Sequence, residues 1–489
     1  MTSPGFSEQA RFTSFRDPAG RLVTLNNQVF RIIDDTAVAD LKSFLESPIA
    51  GQYLDNGQIV STRFLSEDES EKILSRDLKK SLPGESFNVV EHERIPFQSF
   101  PYEWPPEMLY QAGLLTIDLA EGLLSQSFGL KDATPYNVLY RGSSPVFVDL
   151  LSFERREPGD PTWLPMAQFE RTFVLPLLVN KYFGLSLDSV FISNRDGIEP
   201  ETAYRLCGAL RRFMPPFLSL VSIPKWLSPK ANEHSKKGDA DIYKKKSLDN
   251  PDQARFILRG VFKRSRRHLD AVAPATGRTS TWSEYMSPTS HFTQKYFAAK
   301  TDFVKSAFDG YRSTRLLDVG CNNGHFSLLA ARGGASVVSI DYDPVVVGDL
   351  WRNASAEKLN ILPLTVNLTR PTPSTGWLNQ ECPSFLDRAR GAFDCVLMLA
   401  VIHHMLVTER IPLAEIIDLA AELTTDLLII EFVPTDDPLF IRLTRGREQL
   451  HRGLTEEVFK TMASRKFEIV RSEKLIDSSR SIHLMRKKR

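Results

Sequence analysis

The order of apolar and amphipathic segments predicts an α/β protein in two parts, a C-terminal doubly wound sheet and an N-terminal α+β domain. Three observations carry that reading. From about residue 281 onward, short apolar runs alternate with helix-period segments. Within this half, Leu316-Leu317-Asp318-Val319-Gly320-Cys321-Asn322-Asn323-Gly324 breaks an apolar run at an acid and turns on two glycines. A polar, lysine-bearing stretch from Pro224 onward, with Lys244-Lys245-Lys246, cannot build a core and divides the chain. The expected units are residues 1–223, a basic linker with a helical extension over 224–280, and 281–489. A chain of 489 residues exceeds one ordinary core, as such a division requires.

The C-terminal elements follow in order. A lead-in helix spans His291 to Phe308; it would cover a pocket to which Trp282, Tyr285 and His291 are near enough to contribute. The first strand ends at Val319, a helix runs from His325 to Arg332, and a second strand, Ala335 to Ile340, ends at Asp341. Next come a helix from Pro344 to Glu357 and a third strand, Ile361 to Val366, ending at Asn367-Leu368. The fourth strand, Phe393 to Leu399, leads into Ala400-Val401-Ile402-His403-His404. The fifth, Asp426 to Glu431, is followed by Asp436 and Asp437 where an acceptor site would open, and 467–470 and 481–485 supply the last two strands. Gly320 and Gly324 let a ligand approach the backbone, and a carboxylate at Asp341 suits the paired hydroxyls of a ribose.

A NAD fingerprint would read G-x-G-x-x-G, whereas the spacing here is Gly320-x-x-x-Gly324. With Asp318 two residues earlier and Asp341 ending the second strand, the pattern resembles motif I of the class I S-adenosylmethionine-dependent methyltransferases. The resemblance implies a Rossmann-like sheet and S-adenosyl-L-methionine as cofactor. It implies cofactor contacts from Asp318, Gly320, Cys321, Asn322, Gly324, Asp341, Tyr342, Asn367 and Leu368, the Asn367 amide oxygen facing the adenine amino group. His404, with His403 beside it, would serve the acceptor as a general base, because an imidazole ordinarily titrates near neutrality.

In the N-terminal half, Met108 to Leu124 has helical spacing, and two short strands, 138–140 and 146–148, flank Arg141-Gly142-Ser143-Ser144. Asp132 precedes Asn137 by five residues, and Asp149 follows twelve later. This spacing resembles the catalytic loop and metal-binding strand pair of protein-kinase-like phosphotransferases. The resemblance implies Asn137 and Asp149 as magnesium ligands and Asp132 as base, with Mg2+ and ATP as cofactors if that site is active. Arg31 stands where the strand lysine of that family would. The sequence departs from the family in lacking G-x-G-x-x-G, V-A-I-K and H-R-D, and in placing Leu150-Leu151 after the second acid. Glu91-His92-Glu93-Arg94 and Phe97 to Trp104 would suit a lobe junction.

A net charge of +1, with no nucleic-acid motif, argues against a nucleic-acid partner. Cys207, Cys321, Cys382 and Cys395 lack C-x-x-C spacing, which argues against a structural zinc and for a reducing cytoplasm. The N-terminus lacks the order of a signal peptide, and no apolar run approaches the roughly 18 residues of a membrane span. The expected function is therefore cytoplasmic methyl transfer to an oxygen or nitrogen of a small-molecule acceptor, a sugar or secondary metabolite. The N-terminal half would recognise substrate or partner. The alternatives are a bifunctional phosphotransferase–methyltransferase, an RNA methyltransferase, and a non-enzymatic protein that senses the cofactor. Oligomeric state is left open.

Overall fold

The computed structural model describes residues 11–14, 17, 19–74, 88–227, 247–283 and 293–489. Tyr285, His291 and residues 228–246 of the expected linker lie outside that set.

The N-terminal half opens with an antiparallel sheet of β1 (Arg11–Ser14), β2 (Gly20–Leu25), β3 (Gln28–Ile33), β4 (Thr62–Phe64) and β5 (Asn88–His92), in the order β1-β2-β3-β5-β4. Asn26 and Asn27, both at positive φ, make the two-residue turn that closes β2 on β3. The helix Pro106–Leu123 is apolar on nearly every side, from Met108 and Leu109 to Leu119 and Leu123, and runs through the core as such a helix must. Around it stand β6 (Phe128–Leu130), paired with β9 (Phe153–Arg155), and the hairpin of β7 (Val138–Arg141) and β8 (Ser144–Phe147).

The region 224–280 is not merely a linker. Asn250 caps the helix Pro251–Ala271 by accepting from the Asp252 and Gln253 amides. Leu258, Phe262 and Leu269 bury in the core shared with Pro106–Leu123. Arg266 pairs with Asp118, and the Tyr110 hydroxyl donates to Asp270 at 2.8 Å. The charged residues that suggest a solvated extension occupy only the outer face.

The C-terminal half is one seven-stranded sheet of β10 (Arg315–Val319), β11 (Ser336–Asp341), β12 (Ile361–Thr365), β13 (Phe393–Met398), β14 (Thr424–Phe432), β15 (Phe467–Lys474) and β16 (Ser481–Lys487). The spatial order is β12-β11-β10-β13-β14-β16-β15. The first five strands are parallel and β16 and β15 antiparallel. Chain order reverses between β10 and β13, and the crevice outside the carboxyl ends of strands opens at such a point. The lead-in helix, Gln294–Tyr311, carries Tyr296, Phe303, Val304 and Ala307 into the core.

The two halves share buried surface. Gly348 in the helix Pro344–Ala356 faces Glu107, so closely that a Cβ would lie 2.3 Å from its carboxylate oxygen. Arg352, one turn on, ion-pairs with Glu107, and Trp351 Nε1 donates to the Ser143 carbonyl at 3.0 Å. The aromatic stretch Phe97 to Trp104 connects the first sheet to the helix Pro106–Leu123 and also meets the C-terminal half. Arg388 reaches buried Glu103 and lies over the rings of Phe97, Phe100 and Phe385. Thr372 Oγ1 donates to the same Glu103 at 2.6 Å. Among the described residues, no helix is long and apolar enough to cross a membrane.

Candidate active site

A cavity of about 360 Å³ opens at the switch point. Val319 and Gly320 reach it from the end of β10, Ile340, Asp341 and Tyr342 from β11, Val366 to Thr369 from β12, and Leu399 to Val401 from β13. His404, Met405, Thr408 and Glu409 close one side, and Trp282 stands over the mouth.

Asp341 is its fixed anion. One carboxylate oxygen accepts from the Asn322 amide and the other from the Asp343 amide, each at 3.0 Å. Burial pushes the carboxyl up to about 6, against the pull of those backbone donors. Asn322 sits at positive φ and gives its side-chain amide to the Trp282 carbonyl at 2.9 Å. The Trp282 indole N–H donates to the Tyr342 hydroxyl, and its ring meets His404 edge-on at 5.4 Å. Trp282 thus bridges the ends of the second and fourth strands. Gly320, at φ 72°, faces Val401, whose Cγ2 would lie 2.5 Å from an added Cβ, so the two loops close on each other only through glycine.

Asn367 lines the cavity, yet its oxygen does not face it freely. Oδ1 accepts from the Thr369 amide at 3.0 Å and from its hydroxyl at 2.6 Å. This local turn, common for asparagine, leaves the amide N–H2 as the group to offer, a donor where an acceptor was expected.

Of the expected site residues, Gly320, Asn322, Asp341, Tyr342, Asn367, Leu368 and His404 line the cavity; Asp318, Cys321, Gly324 and His403 do not. Asp318 is buried beneath it, accepting from Ser327 Oγ at 2.6 Å, while Ser327 accepts from Ser339. Burial raises Asp318 to about 6. Cys321 is buried, its thiol held well above the usual range by burial. Gly324, at φ 84°, caps the helix His325–Arg332 where a Cβ would strike Leu350. Among the described residues, the buried ring of His403 has no hydrogen-bond partner at either nitrogen.

His404 departs from the expectation of a near-neutral base. Burial, reinforced by the charge of Arg480, lowers it to about 4, so it stands as a neutral imidazole at ordinary pH. Both histidines lie on the short helix Ile402–Val407 rather than at a strand end. Glu431 and Asp437 do not face an acceptor. Glu431 is fully buried, ion-paired to Lys300 Nζ at 2.6 Å and Arg480 at 3.2 Å, and Arg480 also grips Asp437 at 2.8 Å. Burial alone would raise Glu431, but the two cations prevail and hold it at about 2. Asp437 additionally caps the helix Pro438–Thr444.

Reasoning on the sequence missed Thr369, Met405, Thr408 and Glu409. Thr408 follows His404 by four residues, one helical turn, and that spacing was the available signal. Glu409 accepts from Arg370 at 3.0 Å beside the opening.

In the N-terminal half, the kinase-like residues meet but are bonded to one another. Asp149 accepts from Arg31 at one oxygen and from Ser152 Oγ at the other, 2.6 Å away, and the Asn137 side-chain amide donates to Ser152 at 3.3 Å. Burial, then the charge of Asp149, raises the Asp132 carboxyl. Among the described residues, no group of three or more His, Cys, Asp or Glu is placed to hold a metal.

Residues 290–431 match the family described as "Methyltransferase domain", a range that holds every residue lining the cavity except Trp282. Over nearly its whole length the chain is similar to the nodulation protein NoeA of Rhizobium meliloti (strain 1021), with 27% identity across 471 residues, 96% of this chain and 94% of that one. Solved structures that align with it include magnesium protoporphyrin IX methyltransferase (ChlM) from Synechocystis PCC 6803 with bound SAH, at 21% identity over 40% of this chain and 84% of that one, TM-score 0.30. The N-methyltransferase NodS from Bradyrhizobium japonicum WM9 aligns at 14% identity over 40% and 98%, TM-score 0.30.

Proposed function

We propose that the chain is an S-adenosylmethionine-dependent methyltransferase acting on an oxygen or nitrogen of a small-molecule acceptor, a sugar or secondary metabolite. The N-terminal half serves substrate or partner recognition. The observation that carries the reading is Asp341, a carboxylate oriented by two backbone amides at the end of the second strand and opening on the switch-point cavity. The cofactor, when bound, supplies a methyl carbon on a cationic sulfur.

Asp341 would hold the ribose hydroxyls, the Asn367 amide would offer a donor to the base, and Val366, Leu368 and Met405 would supply apolar lining beside it. His404 accepts a hydrogen bond from the acceptor O–H or N–H and holds its lone pair toward the methyl. A base at about 4 orients the acceptor more than it removes the proton. Full-length similarity to NoeA, covering both halves, supports a joint function for them. Phosphotransfer is disfavoured, because both Asp149 oxygens already accept from Arg31 and Ser152.

Calorimetric titration with S-adenosylmethionine tests the site. Asp341→Ala should weaken binding by roughly tenfold to a hundredfold, the loss of charge-assisted hydrogen bonds. His404→Ala should spare binding and lower turnover of a labelled-cofactor assay about a hundredfold. Normal binding by Asp341→Ala would refute the assignment.

A further inference from the structure

Outside the cavity, the largest departure from an ordinary surface lies between Leu206 and Leu227. Leu210, Phe213 and Met214, at i, i+3 and i+4, are 85%, 66% and 58% exposed. Ile223, Trp226 and Leu227 repeat the spacing on the neighbouring helix Ile223–Leu227 at 42%, 50% and 78%. The two triplets meet through Phe213 and Trp226, whose ring centroids lie 6.0 Å apart. Scattered exposed leucines need no explanation, but two apolar stripes joined by a pair of aromatics form a patch that does.

Its charge is one-sided. From Thr202 to Leu227 the sequence has Arg205, Arg211, Arg212 and Lys225 and no acid. The nearest acid, Glu201, is already paired with Arg205 and Lys225. We propose that this face docks the protein peripherally on an anionic lipid bilayer.

Three features select that occupant. Leu210, Phe213 and Leu227 expose about two-thirds or more of their surface, and side chains so exposed can insert into a deformable acyl layer. Tryptophan flanked by arginine and lysine is the composition that settles at a headgroup boundary. A second copy would set like charges against like across a two-fold axis. The stretch that follows, 228–246, has Ile242 and Tyr243 as its only large apolar residues, too few to cover the patch.

The test is co-sedimentation of the full chain with vesicles of phosphatidylglycerol and phosphatidylcholine, and with phosphatidylcholine alone. The expected result is partition into the anionic vesicles, reduced about tenfold or more in Trp226→Ser/Leu227→Ser and weakened in Arg211→Glu. Because Trp226 packs on Phe213, thermal unfolding is followed alongside, and Leu210→Ser/Leu227→Ser, at side chains 85% and 78% exposed, should lose binding to the same degree with an unchanged midpoint. Failure to bind anionic vesicles, or equal binding by either double variant, overturns the proposal. So does a concentration-dependent dimer in sedimentation velocity that either double variant abolishes.

Discussion

Asp341 combines burial with two backbone donors, and with its carboxyl at about 6 the proposed cofactor site would be sensitive to pH. On that proposal, only the ionised form would accept from both ribose hydroxyls. The ionised fraction rises roughly tenfold from about pH 5 to about pH 7 and then levels. The dissociation constant for S-adenosylmethionine should fall by about that factor over the same window, and calorimetry should find proton release near pH 6. Asp341→Asn should bind weakly and with little pH dependence. The group's effect on folding has the opposite sign. Its folded pKa lies above the ordinary aspartate value of 3.8, so the folded state holds the proton more tightly and this contribution to stability declines as pH rises through about 6. The position of Asp341 was legible in the sequence, because it closes the apolar run Ala335 to Ile340 and is followed by Asp343-Pro344, the start of a helix. The orientation of Asn367 was not, since it depends on a turn to Thr369, two residues away, rather than on the strand.

At the scale of elements, the contact between the 97–104 stretch and the helix Phe385–Ala389 centres on Arg388, which ion-pairs with Glu103 and lies over Phe97 and Phe100. Glu103 is wholly buried, and Arg388 is nearly so. Arg388→Ala would strand a carboxylate in the interior and should cost about 3 kcal/mol in denaturant unfolding. Arg388→Lys should recover little of it, because the planar guanidinium also lies over Phe97, Phe100 and Phe385 and donates to the Ser384 carbonyl. The parallel strands of the C-terminal sheet were readable as bare apolar runs, since a strand covered on both faces needs no polar alternation. Strand β14, expected at Asp426 to Glu431, is longer, Thr424–Phe432. In the first sheet the sequence singled out only Arg31, in β3, and Glu91-His92, in β5. β4 is three residues long and pairs with β5, which joins β3 across a wide separation in sequence, so neither has a local signature.

For the whole molecule, the two halves were expected to be separable units. The buried core instead runs from Met108 and Leu109 through to Val338 and Ile340 in one cluster. Scanning calorimetry of the full chain should therefore give one cooperative transition. A fragment of residues 281–489, deprived of Glu103 and Glu107 beside Arg388 and Arg352, should melt well below it. Two separated transitions, or a fragment as stable as the full chain, would contradict this coupling. Sequence pattern alone could not reveal it, because the interface is built from single residues on elements whose periodicity is satisfied within each half.

Gly348 shows where that coupling is written. A helix interior ordinarily favours a larger residue by up to about 1 kcal/mol, and here the side chain is given up so that Glu107 can fit. The glycine, the glutamate and Arg352 thus act as a matched set: a chimera that grafts this C-terminal half onto a foreign N-terminal segment would inherit a notch with nothing to fill it. Protein engineers recombining such chains would have to carry all three residues across together, with the crossover before Glu107 or after Arg352 and never between them.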